Sequence, residues 1–334
     1  MKTKIPLILF VLLTTFFSCK KTSENFEGPD LNDLYGSFQV MEDFKCSKDS
    51  VNFALGQTAH FSAKTSKMVD WEIHIKGLTS GAEKIITGKS KTIDVSNALW
   101  NGSTTNFPMF KTEKCAAKLI FPTEQDTLYD TVKIIGTKVN QGFLIADFES
   151  GFNTGWTTFI QSGANMSFQI SNSSPVPQAN NYYNMAGTVA WDWLIGLIEF
   201  PSTAYGAAHY PLNTNPNNVY FNVLVWGEPG ITNALLLFQF REDDNNNGIF
   251  ESGTEDEYDY ELPVNWTGWK LISVKYSDLV TLVNGAPAMP KGNKQHNPER
   301  LMRVSLLHLA NPTTGFSKSK MDYLIFTENS ALEP

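Results

Sequence analysis

The chain has 334 residues with 26 basic and 34 acidic side chains, a formal net charge of -8 and 42% hydrophobic content. That length supplies apolar material for two packed cores, and with no basic stripe to follow a phosphate backbone, nucleic acid is excluded as a partner. Aromatic residues reach 13%, including eight Trp and eleven Tyr, a larger stock than cores alone call for.

Residues 1–19 open with Lys2 and Lys4, run apolar from Ile5 to Phe17 and close on Ser18-Cys19. This is the pattern of an export signal that ends at a lipidated cysteine. The apolar run is shorter than the roughly 20 residues that span a bilayer, which disfavours a permanent transmembrane helix. Phe16 stands where a lipoprotein box carries Leu, so ordinary cleavage with an unlipidated Cys19 is the alternative. Residues 20–34 are polar and aperiodic and read as a flexible tether. The implied location is the cell envelope, as an outer-membrane lipoprotein facing either the surface or the periplasm, held to the membrane through its lipid anchor.

From 35 to 138 short alternating strands follow one another, among them Ala59–Lys64, Val69–Lys76, Lys118–Phe121 and Thr131–Ile135. Alternation sends Trp71, Ile73 and Ile75 to a core and Asp70, Glu72, His74 and Lys76 to solvent. On this Trp strand and the strand count, the segment resembles the immunoglobulin-like sandwiches of bacterial surface proteins. Cys46 and Cys115 both fall here. In an exported protein they are expected to form a disulfide worth about 4 kcal/mol in the chain-entropy model; two buried, unpaired thiols are the other reading.

From 142 to 334 the strand-like runs are Phe143–Ala146, Trp193–Phe200, Val219–Trp226, Leu235–Arg241, Glu257–Leu262, Trp269–Tyr276, Arg303–Leu309 and Met321–Phe326. Antiparallel patterning at this length predicts a β-jelly-roll sandwich, making the whole chain all-β. Within it, Asp243, Asn245 and Asn247, followed by Gly248 and the carbonyl of Ile249, reproduce the first half of a calcium loop. Thr254 occupies the place of the bidentate Glu and Glu255 follows one position later, so the expected structure is a calcium-pinned hairpin, with a solvated acidic turn as the alternative.

The opening Asp147-Phe148-Glu149, the following Gly155-Trp156, the Gly268-Trp269-Lys270 before a strand and the closing Asp322-Tyr323-Leu324-Ile325-Phe326 resemble the galactose-binding-like jelly rolls of carbohydrate-binding modules. Joined to a lipid anchor and an immunoglobulin-like spacer, the whole is similar to surface glycan-binding lipoproteins of polysaccharide-uptake systems. The resemblance implies that a polysaccharide or oligosaccharide is bound, that an outer-membrane uptake complex is a partner, and that Glu149 and Asp322 share a second calcium. For the sugar, aromatic faces that meet pyranose C–H patches and polar groups that bond hydroxyls point to Tyr220, Asn222, Trp226, Gln239 and Arg241, with Trp191 as a loop aromatic set among small residues. Trp193, Tyr205, Tyr210 and Trp266 are further loop aromatics, of which Tyr205, like Trp191, is set among small residues and looks least like core.

Enzyme motifs are missing: there is no Gly-x-Ser-x-Gly elbow, no His-Glu-x-x-His pair and no phosphate-cradling loop. A pair of carboxylates brought together by the fold would suffice for a glycosidase. The sequence therefore supports non-catalytic glycan binding first, a surface adhesion or scaffold protein with a protein partner second, and a glycoside hydrolase third.

Overall fold

The computed structural model describes residues 36–190, 193–311 and 315–334. Cys19 and Trp191 lie outside the described residues. The elements are strands and short 3-10 turns, and among the described residues no helix is long and apolar enough to cross a membrane.

The first seven strands are β1 (Val40–Cys46), β2 (Ser50–Asn52), β3 (Ala59–Gly77), β4 (Glu83–Ile93), β5 (Leu99–Trp100), β6 (Lys114–Ile120) and β7 (Thr127–Gly136). They form one sheet in the order β1-β3-β6-β7-β2, with β4 and β5 also pairing to β3. The two runs expected at Ala59–Lys64 and Val69–Lys76 are a single 19-residue strand, irregular in register between them. Its first half pairs with β1 and β5 and its second with β6, while β4 reaches both, and odd-numbered residues face inward in both halves. Trp71, Ile73 and Ile75 are buried as expected, with Phe61, Trp100, Phe121 and Ile134 in the same core.

Cys46 and Cys115 are free thiols, so the expected disulfide is corrected. The reason is topological: β3 lies between β1 and β6. Cys46 is opposite Phe61 on one half of β3, and Cys115 is opposite Gly77 at the far end of the other. Cys46 gives its backbone N–H to Asp130 Oδ2 at 2.6 Å. Cys115 points into the core, where burial pushes its thiol up to about 12.

The remaining strands are β8 (Phe143–Ala146), β9 (Thr157–Ile160), β10 (Asn165–Ser171), β11 (Tyr182–Thr188), β12 (Leu194–Pro201), β13 (Val219–Gly227), β14 (Ala234–Glu242), β15 (Glu257–Pro263), β16 (Gly268–Lys275), β17 (Leu282–Val283), β18 (Ala286–Pro287), β19 (Leu301–Ala310) and β20 (Phe316–Glu328). Two antiparallel sheets face each other. One runs β10-β11-β20-β13-β16 with β8 also on β20, the other β15-β14-β19-β12-β9, and β17–β18 is a separate hairpin. Alternate residues of each sheet fill the space between them: Val219, Phe221, Val223 and Val225 from β13 meet Leu236, Phe238 and Phe240 from β14 and Val304 and Leu306 from β19. Phe221 lies 5.1 Å from both Phe238 and Phe240 and 5.5 Å from Phe326. Each such buried side chain contributes about 1.5–3 kcal/mol. This all-β jelly-roll sandwich is the expected fold class. The segment after β20 runs back to the first core, where Glu333 meets Asn101, Lys84 and Lys138, and Thr104 donates its N–H to Pro334 O.

Candidate functional site

Because β14 sends even-numbered residues to the core, Leu237, Gln239 and Arg241 stand on the outer face of the five-stranded sheet. Register then aligns residues across the sheet in rows. One row is Asp259, Gln239, Ser305, Glu199 and Thr157, and the row beside it is Glu261, Leu237, Leu307, Leu197 and Phe159. Arg241 pairs with Glu257 and Arg303 at the end next to the polar row. A strip of polar groups thus runs alongside a strip of apolar ones, and most of these side chains are half-buried.

Ion pairs hold the polar half in place. Glu199 accepts from Arg241 Nη1 at 3.0 Å, from Arg303 Nη1 at 3.3 Å and from Thr157 Oγ1 at 2.9 Å, and Arg241 Nε reaches Glu257 at 2.6 Å. Burial works to raise the Glu199 pKa, but Arg303, Thr157 and Arg241 together keep it below the usual carboxylate value. Asp259 behaves oppositely. Burial pushes it up to about 7, against the hydrogen bonds it accepts from Leu282 N and Gln239 Nε2.

Walls rise at the margins of this face. Phe250 lies 5.3 Å from the Arg241 guanidinium, and a notch of about 600 Å³ opens among Arg241, Phe250, Glu257, Met302 and Arg303. On the apolar side Phe159 is 49% and Trp193 43% exposed. Val280 bridges to Asp259, which leads the β17–β18 hairpin along the β15 edge.

The expected sugar set is divided between two faces. Gln239 and Arg241 lie on the face just described, whereas Tyr220, Asn222 and Trp226 lie on the outer face of the opposite sheet, because β13 and β14 are consecutive in sequence but belong to different sheets. Those five residues therefore do not form one platform. Asn222 is fully buried, donating to Tyr220 O, Ile325 O and Thr327 Oγ1 and accepting from Ser273 Oγ and Leu332 N. Trp226 donates to Glu228 Oε2 at 2.9 Å and stacks under Lys320 Nζ at 4.6 Å. With Trp269 at 5.6 Å it lines a groove of about 590 Å³ whose other wall is Thr105–Pro108 of the first core. Glu199, Ser305, Leu307, Arg303, Phe159 and Phe250 were not singled out from sequence. The parity of Arg303, Ser305 and Leu307 against buried Val304 and Leu306 was the available signal for β19.

The expected calcium loop folds back on itself. Asp243 accepts Asn247 N, Gly248 N and His209 Nε2; Asn245 Oδ1 accepts Asn247 N; Asn247 Oδ1 accepts Ile249 N; Glu255 accepts Asn245 N and Glu251 N. At the paired first and last strands, Glu149 accepts Asn180 N and Asn181 N. Asp322 is fully buried, and its Oδ2 has no partner. Burial pushes the Asp322 carboxyl well above the usual range, and the charges of Glu149 and Asp147 add to the shift. Phe148 and Tyr323 beside these carboxylates both take left-handed backbone conformations, φ 58° and 51°, which side chains of this size adopt only under constraint.

No family model matches the chain, and no curated protein matches it. Among solved structures it is similar to the family 11 carbohydrate-binding module of the cellulosomal cellulase Lic26A-Cel5E of Clostridium thermocellum, at 14% identity and a TM-score of 0.40, covering 57% of this chain and 96% of that one. Similarity extends to the surface protein SGBP-B from a xyloglucan utilization locus of Bacteroides uniformis, at 10% identity and a TM-score of 0.35, covering 87% of this chain and 73% of that one. Carbohydrate-binding modules of the β-sandwich superfamily match at 11% identity and a TM-score of 0.37, covering 88% and 99%. All three lie below a TM-score of 0.5, so nothing about this chain rests on them.

Proposed function

We propose that the chain binds polysaccharide or oligosaccharide, without catalysis, on the outer face of the five-stranded sheet. The observation that carries this reading is the run of accessible polar groups Gln239, Glu199 and Thr157, with Asp259 and Ser305 buried in the same row, lying directly beside Leu237, Leu307, Leu197 and Phe159, which follow Glu261 in the next row. A pyranose has the same two-sided chemistry, C–H faces for the apolar row and hydroxyls for the polar one. Arginines clamp the Glu199 carboxylate, which makes it a fixed acceptor rather than a proton carrier. The protein works at the cell envelope through a lipid on Cys19, with residues 35–138 as spacer and docking surface toward an outer-membrane uptake complex. Calcium in the Asp243–Glu255 loop and between Glu149 and Asp322 stiffens the sandwich. The unpartnered Asp322 Oδ2 supports the second of these ions.

Calorimetry of the full mature chain against a panel of soluble polysaccharides is the test. Gln239→Ala and Phe159→Ala are expected to cost on the order of 1–3 kcal/mol of affinity, while Trp226→Ala, on the far face, leaves affinity unchanged. Phe159 is half-exposed, so its truncation leaves the core intact. If no polysaccharide binds, the adhesion reading replaces this one. If Trp226→Ala alone abolishes binding, the site is the groove at Trp226 and Trp269.

A further inference from the structure

Strand parity brings together a second set of carboxylates that the calcium-loop spacing does not include. Glu242 ends β14 on the core side, Asp244 follows two residues later, and Asp256 stands just before β15, where its carbonyl accepts Glu242 N at 3.0 Å. One oxygen from each of the three carboxylates falls within 4.8 Å of the others. Glu242 and Asp256 are both 0% exposed. Among the described residues no lysine or arginine side chain forms an ion pair with any of them; the guanidinium of Arg300 goes instead to the main-chain carbonyl of Asp244.

One carboxylate oxygen of this cluster has no partner, and a buried tyrosine hydroxyl stands beside the set. Glu242 Oε1 is used, accepting Tyr276 Oη at 2.8 Å and Asn297 N at 2.9 Å, but its buried Oε2 bonds to nothing. Tyr258, 2% exposed and stacked 4.0 Å from His296, sets its hydroxyl beside the same carboxylates. A buried oxygen left unpaired costs about 1–3 kcal/mol, and uncompensated buried charges cost more. The remaining oxygens are held by the segment that closes the cluster: Asp256 accepts Gly292 N and Lys294 N, both at 2.6 Å, and Asp244 accepts Asn293 Nδ2 at 2.6 Å. Gly292 must be glycine there, because a Cβ would collide with Asp244 Oδ2.

We propose that Glu242, Asp244 and Asp256 bind a divalent cation of the calcium class, distinct from any ion in the Asp243–Glu255 loop on the other side of the same hairpin. An all-oxygen, carboxylate-rich set suits a hard cation. The ion adds to the single positive charge of Arg300, which lies on the Asp244 carbonyl, and pins residues 292–297 against the end of the β14–β15 pair.

The test strips the full mature chain with chelator, restores calcium, counts bound metal by mass spectrometry, and records melting temperature with chelator and with millimolar calcium. Glu242→Gln, which keeps the shape and both bonds at Oε1, and Asp256→Asn, which gives up one of the two backbone N–H groups its carboxylate accepts, are each expected to remove one equivalent of calcium and to shrink the calcium-dependent rise in melting temperature. The Asp243→Asn/Asp322→Asn double variant, stripped of the two ions proposed above, should retain one equivalent, and adding Asp256→Asn to it should remove that equivalent. Circular dichroism establishes that each variant is folded, and if one of the first pair fails to fold, the other decides. Wild-type protein that binds no calcium, or Asp256→Asn and Glu242→Gln proteins with wild-type stoichiometry, overturn the proposal.

Discussion

His308 occupies a core-facing position of β19, fully buried, with Nε2 at 3.0 Å from Ser317 Oγ. Burial lowers its pKa to about 4 from an ordinary value of 6.5. Between those values the unfolded chain binds a proton that the folded chain refuses, so stability is full above pH 6.5 and is lost as pH falls toward 4, by on the order of 3 kcal/mol. A histidine NMR titration should show His308 still neutral at pH 5; a midpoint near 6.5 would count against the burial argument. Asn222 teaches a related lesson at the same scale. Its polar side chain on an outward phase reads as a ligand contact, yet the segment carrying Leu332 folds across that face and turns the amide into a bracket between β13, β16 and β20. Sequence parity tells which side of a strand a residue faces, not what later covers that side.

Strands with clean alternation were legible. Val69–Lys76, Val219–Trp226 and Leu235–Arg241 all keep the faces their pattern assigns. Three others were missed for a physical reason. β9 is an exposed edge strand with no buried residue, and β10 and β11 carry Ser, Asn, Met and Gly where β-branched residues usually mark a strand. Sheet membership was the larger gap, since nothing local to β13 or β14 says that the chain crosses the sandwich between them, and this divided the expected sugar set. The carboxylate cluster was hidden behind the more familiar spacing of Asp243, Asn245 and Asn247. Packing between elements also explains a glycine: Gly88 on β4 lies opposite Trp71 on β3, and a Cβ there would enter the indole ring. Trp71 cannot retreat, being buried and bonded through Nε1 to Ser90 Oγ at 2.9 Å. Gly88→Ala should therefore destabilise the first core by about 1–3 kcal/mol, measured by urea denaturation; an unchanged midpoint would mean that β4 shifts freely.

Over the whole molecule, the two cores are joined by more than the segment between β7 and β8. Glu333, on the tail after β20, pairs with Lys84 of β4 at 3.8 Å and accepts Asn101 Nδ2 at 3.1 Å, and it also holds Lys138 of the connecting segment, which donates to its carbonyl at 2.5 Å and pairs with its carboxylate at 3.5 Å. Burial lowers the Lys138 pKa against the pull of Glu333. Met109 N also donates to Pro177 O at 2.7 Å across the same boundary. Glu333 is well exposed, and each such pair contributes about 0–1 kcal/mol. Glu333→Ala should accordingly leave both cores intact but raise the rate of proteolytic cutting between residues 136 and 143 a fewfold. A cutting rate equal to wild type would show that the two halves are held by other contacts.

The pairing of β8 with β20 has a topological consequence. Phe143 stands opposite Phe326, so the strand that begins the sandwich and the strand that completes it are neighbours, about 4.8 Å apart in the hydrogen-bonding direction. A unit whose two ends leave side by side can be spliced into a surface loop of a host protein without stretching either partner. It should also accept circular permutation, with a short bridge joining the ends of β8 and β20 and new ends opened at a turn such as Gly230.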